Sequence, residues 1–247
     1  MLFHPCIMAP VFNHGTSALR LANAVKDLGL TLILVDDGSN NEWEALDEAQ
    51  KLPHVVLIRH KQNRGKGGAV KTGLLHAYQE GFTHCLQIDS DGQHDAHDIP
   101  RFLKEAEKTP HSIICGYPVY DGSVPRGRLV GRYITHVWVW IETLSFQIRD
   151  SMCGFRVYPL LPTITLLNHV QLGERMDFDP EILVRLHWAD VKARSLPTKV
   201  TYPRGALSNF RLWADNWLIT CMHTRLFFGM LIRFPKIVSG RVLAALP

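Results

Sequence analysis

Short runs of β-branched and other apolar residues recur along the first half of the chain, at 6–12 (CIMAPVF), 31–37 (TLILVDD), 55–60 (VVLIRH), 84–90 (HCLQIDS) and 112–117 (SIICGY). Between them lie stretches whose length and period suit helices. This alternation predicts an α/β fold with a mostly parallel central sheet flanked by helices on both faces. Helix starts are marked by Thr16 or Ser17, by the SNN run at 39–41, and by Asp98 with Pro100 just inside.

From about Val130 the pattern changes. Residues 129–148 form a long apolar helical stretch, 154–159 (GFRVYP) read as a strand, 178–190 as a helix and 191–203 as a late strand. From Asn209 to about Ile232 the pattern is again helical. Here Asn216, Thr220, His223 and Thr224 share a polar face, and Trp213, Trp217, Phe227 and Phe228 lie elsewhere. A membrane span needs ~20 nearly uncharged residues. Arg132, His136 and Glu142 interrupt the first apolar stretch, and His223 and Arg225 interrupt the second, so neither reads as a span, and an interfacial helix is left open.

A length of 247 residues suits one large α/β domain, placed at 1–205, with a helical tail at 206–247. Composition is ordinary for a globular protein, with 46% hydrophobic and 20% charged residues. The five cysteines show no CxxC spacing, which argues against a disulfide framework or zinc cage and for a reducing cytoplasm. The opening MLFHPCIMAPVF lacks the features of a signal peptide and reads as a first strand.

Charge alters this picture only at the C-terminal end. From Lys199 onward, Lys199, Arg204, Arg211, Arg225, Arg233, Lys236 and Arg241 face Asp215 alone, within a chain of net charge +4. With the tryptophans among them, these cations suggest an anionic membrane surface as partner, although a solvated basic face has the same composition. They form no compact patch with a nucleic-acid reader motif, so nucleic acid is not an expected partner.

In open parallel sheets, ligands bind beyond the carboxyl ends of the strands. Here those ends carry Pro10 to Asn13, then Asp36 and Asp37, then Asp89, Asp91 and Gln93. Two carboxylates one residue apart in IDSDGQHD can both reach a hard divalent cation on a nucleotide diphosphate, and Gln93 offers a neutral oxygen; the same residues also make turns. Asp36 and Asp37 suit ribose hydroxyls or a base imide, or simply a strand-to-helix loop. NRGKGGAVKTG opens a helix and fits either a phosphate near Lys66 or close packing through Gly67 and Gly68. Thirteen histidines are present, but none has paired-ligand spacing.

The order APVFN, VDDGS, NRGKGGAVKTG, DSDGQ, followed by DSMCGFR at 150–156, resembles the family 2 inverting glycosyltransferases of the GT-A fold. The last segment is similar to that of the polyprenyl-phosphate sugar synthases, the branch containing dolichyl-phosphate mannose synthase. The resemblance implies that Pro10, Phe12 and Asp36 or Asp37 contact base and ribose, and that Asp89, Asp91 and Gln93 hold Mg²⁺ or Mn²⁺. It also implies that Arg126, Arg128 and Arg132 meet an acceptor phosphate and that Arg156 supports the phosphate region. Family position and spacing make Asp179 and Glu181 the candidate bases for a hydroxyl acceptor, with Asp91 also essential to catalysis. The tail GALSNFRLWADNWL resembles a run in bacterial family 2 proteins linked to lipid or polyene assembly.

The implied activity is metal-dependent, inverting transfer of a sugar from a UDP- or GDP-sugar donor to a lipid-linked acceptor, either a polyprenyl phosphate or a lipid or polyene hydroxyl. The expected location is the cytoplasmic face of a membrane. A nucleotidyltransferase also uses acidic strand ends, but APVFNHGT lacks its usual glycine-rich loop; a non-catalytic scaffold would not need Asp89 and Asp91.

Overall fold

The computed structural model describes residues 2–120, 126–201 and 210–244, with side chains from 129 in the second segment and up to 238 in the third. Seven strands form one sheet: β1 (Pro5–Val11), β2 (Leu32–Asp36), β3 (Val55–Arg59), β4 (His84–Gln87), β5 (Ile113–Tyr120), β6 (Arg156–Pro159) and β7 (Ala193–Val200). Their order is β3-β2-β1-β4-β6-β5-β7. Among the described residues only β6 runs against its neighbours, pairing antiparallel with β4 and β5.

Side-chain alternation along the central strands builds two cores. Met8, Ile33 and Val35 point to one face, and Ile7, Val11, Leu32 and Leu34 to the other. The second face is covered by α1 (Gly15–Val25), α2 (Trp43–Gln50) and α4 (Ile99–Lys108) through Ala18, Leu46 and Phe102. The first is covered by α3 (Lys66–Gln79), α6 (Leu160–His169) and α7 (Phe178–Trp188) through Leu74, Ile164 and Ile182.

Two long helices pack outside this layer, α5 (Arg126–Thr143) and α8 (Leu212–Ala244). The first half of α8 belongs to the same core, since Ile219, Met222 and Leu226 are buried in the cluster that holds Val139 of α5 and Ile182 of α7. Polar contacts fix its register. Glu181, fully buried, accepts from Arg185 Nε at 2.9 Å, from Gly173 N at 2.9 Å and from Arg225 Nη2 of α8 at 2.9 and 3.0 Å. At the helix start, the buried Asp215 carboxylate accepts from Arg211 N at 2.7 Å.

Helix α6 was not expected. Its TIT triplet has low helix propensity, but burial of Leu160, Thr163 and Ile164 against the sheet overrides that. Helix α8 also extends past the expected end, carrying Pro235 inside it. Helix α5 stops at Thr143, where Leu144 turns to a positive φ of 50°.

Replacing Glu181 with Ala strands two arginine partners and an amide at the α7–α8 junction. The expected loss is about 3 kcal/mol, a fall in Tm of roughly 6 to 12 °C by calorimetry. A Tm within 2 °C or so of the parent would show that the pairs do not hold α8.

Candidate active site

Parallel pairing of β2, β1 and β4 brings their carboxyl ends together, with Val11 opposite Asp36 and Met8 opposite Gln87. Ser90 Oγ donates to Pro10 O at 2.7 Å, tying the β4 end to the β1 end. Asn13 and Ser39 tie β1 to β2 through the bond from Asn13 N to Ser39 Oγ at 2.9 Å. Pro10 and Phe12 are half-buried along this seam.

The two aspartates of VDDGS have different surroundings. Asp37 is buried and accepts from Asn63 Nδ2 at 2.9 Å, Arg64 N at 2.9 Å and Gly65 N at 2.7 Å, with His60 Nδ1 at 2.8 Å. Four chain contacts fill its lone-pair sites, so it shapes the turn leading into α3. Asp36 receives Ser39 N at 2.9 Å on one oxygen and has Arg59 Nε at 3.7 Å from the other.

That turn delivers Lys66 to the centre of the site. Its Nζ lies 2.9 Å from Asp89 Oδ2 and 2.8 Å from Asp179 Oδ2. Burial works against its charge, but the Asp179 and Asp89 carboxylates outweigh burial and hold the pKa above the usual lysine value. Burial likewise opposes ionisation of Asp89, and Lys66 reverses the balance, lowering its pKa. Asp91 is shifted up, first by burial and then by the charge of Asp89.

The glycine-rich segment resolves in favour of close packing. A Cβ on Gly67 would overlap the Cβ of Phe178, and Gly68 N donates to Glu174 O at 2.9 Å. The start of α3 is therefore docked against the chain entering α7, which sets Lys66 beside Asp179. Gly154 performs the equivalent service in DSMCGFR, since a Cβ there would fall on the Asp89 carboxylate. Arg156, fully buried, reaches Asp179 from below, with Nη1 at 2.8 Å from its carbonyl and 3.4 Å from its Oδ1.

The residues present fit a divalent cation. Asp89 Oδ1 is buried with no hydrogen-bond partner, and Asp91 is its like-charged neighbour. A magnesium-type ion needs only one or two carboxylates when phosphates and water supply the other ligands. Among the described residues there is no cluster of three His, Cys, Asp or Glu able to hold a metal without such help. Gln93 is half-buried, its N–H donating to Asp91 Oδ1 at 3.0 Å.

Asp179 and Glu181 part company. Two positions apart on a helix they are turned about 200° from each other. Asp179 faces Lys66 and Arg156, whereas Glu181 faces Arg185 and Arg225. Of the three basic residues assigned to an acceptor, the side chains of Arg126 and Arg128 lie outside the described residues. Arg132 forms a two-point pair with Asp150, Nε to Oδ2 at 2.6 Å and Nη2 to Oδ1 at 2.8 Å.

Asp150 and His136 are two members of this neighbourhood that sequence reasoning did not single out individually. His136, one turn after Arg132, has Nε2 3.2 Å from Asp150 Oδ2. Asp150 also accepts from Met152 N at 2.9 Å and Cys153 N at 2.8 Å. Burial opposes its ionisation, but the His136 hydrogen bond and the Arg132 charge drive its pKa far below the usual carboxylate range. The available signal was the i, i+4 spacing of Arg132 and His136 on a helix preceding an isolated aspartate. His94 also went unassigned; it is half-buried, with its ring centroid 5.5 Å from that of Phe155.

Comparison with known proteins gives the family and the fold. The dolichyl-phosphate beta-glucosyltransferase of Dictyostelium discoideum is 32% identical over 178 residues, covering 64% of this chain and 51% of that protein. The chain thus spans about half the length of that relative. The UDP-N-acetylglucosamine–dolichyl-phosphate N-acetylglucosaminyltransferase of Methanococcus voltae is 22% identical over 222 residues, 81% of this chain and 88% of that one. In fold, the glucosyl-3-phosphoglycerate synthase of Mycobacterium tuberculosis superposes with a TM-score of 0.64 at 14% identity, covering 93% of this chain and 79% of that one. The family model described as "Glycosyl transferase family 2" matches residues 6–168, the span that holds the strand ends, Lys66, Asp89, Asp91 and the Asp150–Arg156 segment, and the chain belongs to that family.

Proposed function

We propose that this chain transfers a sugar, with inversion at the anomeric carbon, from a nucleotide-sugar donor to a lipid-linked phosphate at the cytoplasmic face of a membrane. The observation that supports it best is the charge cluster at the strand ends. Lys66, Asp89, Asp91, Asp179 and Arg156 meet where a diphosphate and a departing charge need to be held, next to the seam of Pro10, Phe12 and Asp36 that suits a UDP or GDP nucleoside. Asp89, Asp91 and Gln93 would hold Mg²⁺ or Mn²⁺, which when bound stabilises negative charge on the leaving diphosphate. The relatives named for dolichyl-phosphate transfer favour a phosphate acceptor.

A phosphate acceptor is already ionised and needs no general base. Arg132, oriented by Asp150 and kept charged, uses two of its five N–H donors on that carboxylate and retains others for an acceptor oxygen. Asp179 has Lys66 on Oδ2 and serves to place that cation. A hydroxyl acceptor would instead require Asp179 to take a proton.

Membrane attachment is supported by an apolar face on the two outer helices. Val130, Tyr133 and Ile134 of α5 are exposed, as are Trp213, Trp217 and Ile232 of α8. Trp213 and Ile232 are 87% and 80% exposed, as apolar residues of an interfacial helix would be. Among the described residues no helix is long and apolar enough to cross a membrane, so the proposed attachment is peripheral.

Three outcomes follow. Asp91→Asn, assayed with Mn²⁺ and a panel of nucleotide sugars for released nucleotide diphosphate, is expected to lose at least ~10²-fold in turnover with its Tm retained; parent-like turnover at limiting Mn²⁺ contradicts the metal reading. With the acceptor that proves active, Arg132→Ala is expected to lose more activity than Asp179→Asn. A collapse of ~10²-fold or more in Asp179→Asn across pH, beside a normal Arg132→Ala, would establish a hydroxyl acceptor instead. In sedimentation with anionic phosphatidylglycerol vesicles, the parent should pellet and the Trp213→Ala/Trp217→Ala variant should stay largely in the supernatant; equal partition of the two would remove α8 from the membrane contact.

A further inference from the structure

Lys66 holds the carboxylate that the metal reading gives to a divalent cation. Its Nζ lies 2.9 Å from Asp89 Oδ2, with both side chains largely buried. The other oxygen, Oδ1, is buried without a hydrogen-bond partner. A cation reaching Asp89 must therefore either displace an ammonium from Oδ2 or open a way to a buried atom on the same carboxylate. In both cases its charge meets that of the lysine at close range, where little water screens the two.

The lysine is built to give way. Its backbone is fixed, because it begins α3 directly after the turn in which Arg64 N and Gly65 N donate to the Asp37 carboxylate at 2.9 and 2.7 Å. The end of its four-carbon stem can turn about that fixed point, and the ammonium has three donors to redistribute. Asp179, its second partner at 2.8 Å, also has Arg156 Nη1 3.4 Å from its other oxygen. Charge balance points the same way. Lys66 and Arg156 offset two of the carboxylates of Asp89, Asp91 and Asp179, so a divalent cation added alone reverses the sign of the cluster. A diphosphate added with it restores the balance.

We propose that Lys66 competes with the divalent cation for Asp89, and that a nucleotide diphosphate ends the competition by drawing Nζ from Asp89 to a phosphate oxygen. Metal and diphosphate then enter as a coupled pair, each raising the affinity of the other by the same factor. Lys66 thus disfavours free metal until the donor's diphosphate is present. This proposal rests on the metal reading of Asp89, Asp91 and Gln93, and it concerns the order of binding rather than the transfer step.

Binding of Mn²⁺ to the full chain is read from the loss of its free-ion EPR signal, alone and with saturating UDP or GDP, whichever the parent binds. The parent should bind Mn²⁺ more tightly with the diphosphate than without it. Lys66→Met should bind Mn²⁺ alone about tenfold more tightly than the parent but no more tightly in the presence of the diphosphate, so that the coupling falls about tenfold. Unchanged affinity for Mn²⁺ alone, or undiminished coupling, overturns the role of the lysine and leaves the metal reading intact. Absence of Mn²⁺ binding to the parent even with the diphosphate removes the metal reading and this proposal with it. Should Lys66→Met fail to fold, reductive methylation of the parent, mapped by peptide mass spectrometry, decides the matter. Lys66 should be protected without ligand, more readily methylated in Mn²⁺ alone, and protected again with Mn²⁺ and diphosphate together; methylation unaffected by Mn²⁺ overturns the competition.

Discussion

The site is organised around a lysine ammonium closed in between two carboxylates. Lys66 opens α3, Asp89 follows β4, and Asp179 lies in the first turn of α7, so one cation fixes three elements that are far apart in sequence. Such a pair adds little net stability, because desolvation cancels much of the attraction; removing one partner is another matter, typically costing 3–5 kcal/mol. The cluster therefore acts as a positional constraint. Its demands explain Gly67 and Gly154, which let Phe178 and Asp89 approach to distances that a Cβ would forbid.

Carboxylates elsewhere act as local organisers in the same way. Asp37 gathers Asn63, Arg64 N and Gly65 N into the turn that aims Lys66. Asp150 gathers Met152 N, Cys153 N and two side chains of α5, holding the loop that puts Gly154 against Asp89. Each of these aspartates is buried, and each turns a stretch of irregular backbone into a rigid one by satisfying several N–H groups at once. Rigidity at strand ends is what a site needs if its charges are to be preorganised for a leaving group.

Much of this is legible in the amino-acid sequence. Short β-branched apolar runs located β1 to β5, and the strand order then put Asp36 and Asp89 on one edge. The reversal of β6 was not legible, because a four-residue buried strand reads the same in either direction. Helix α6 was hidden by β-branched residues whose burial decides the outcome. Within the site, residue type marked Asp37, Asp179 and Glu181 as candidates but not their partners. Asp37 bonds its own chain, and Glu181 points to α8, because long-range contacts with Asn63 and Arg225 are invisible to local pattern. Lys66 was placed near a phosphate, and its pairing with two carboxylates needed the fold.

The basic tail illustrates what composition leaves out. Seven cations in the last fifty residues suggested attraction to anionic lipid at ~1 kcal/mol each. Yet Arg225 is committed to Glu181, Arg211 lies 3.8 Å from Asp215, and Arg233 sits over the Trp188 ring at 4.7 Å. A cation already paired in the folded chain contributes much less to a surface potential than one in water. The aromatic residues on the same helix are in the opposite position, since Trp213 and Trp217 stay 87% and 69% exposed. At ~25 cal/mol per Å² of apolar surface removed from water, the two indoles alone rival several surface charges. Arg225 and Arg233 thus fasten α8 to α7, and the exposed indoles, not the cations, carry the proposed membrane contact.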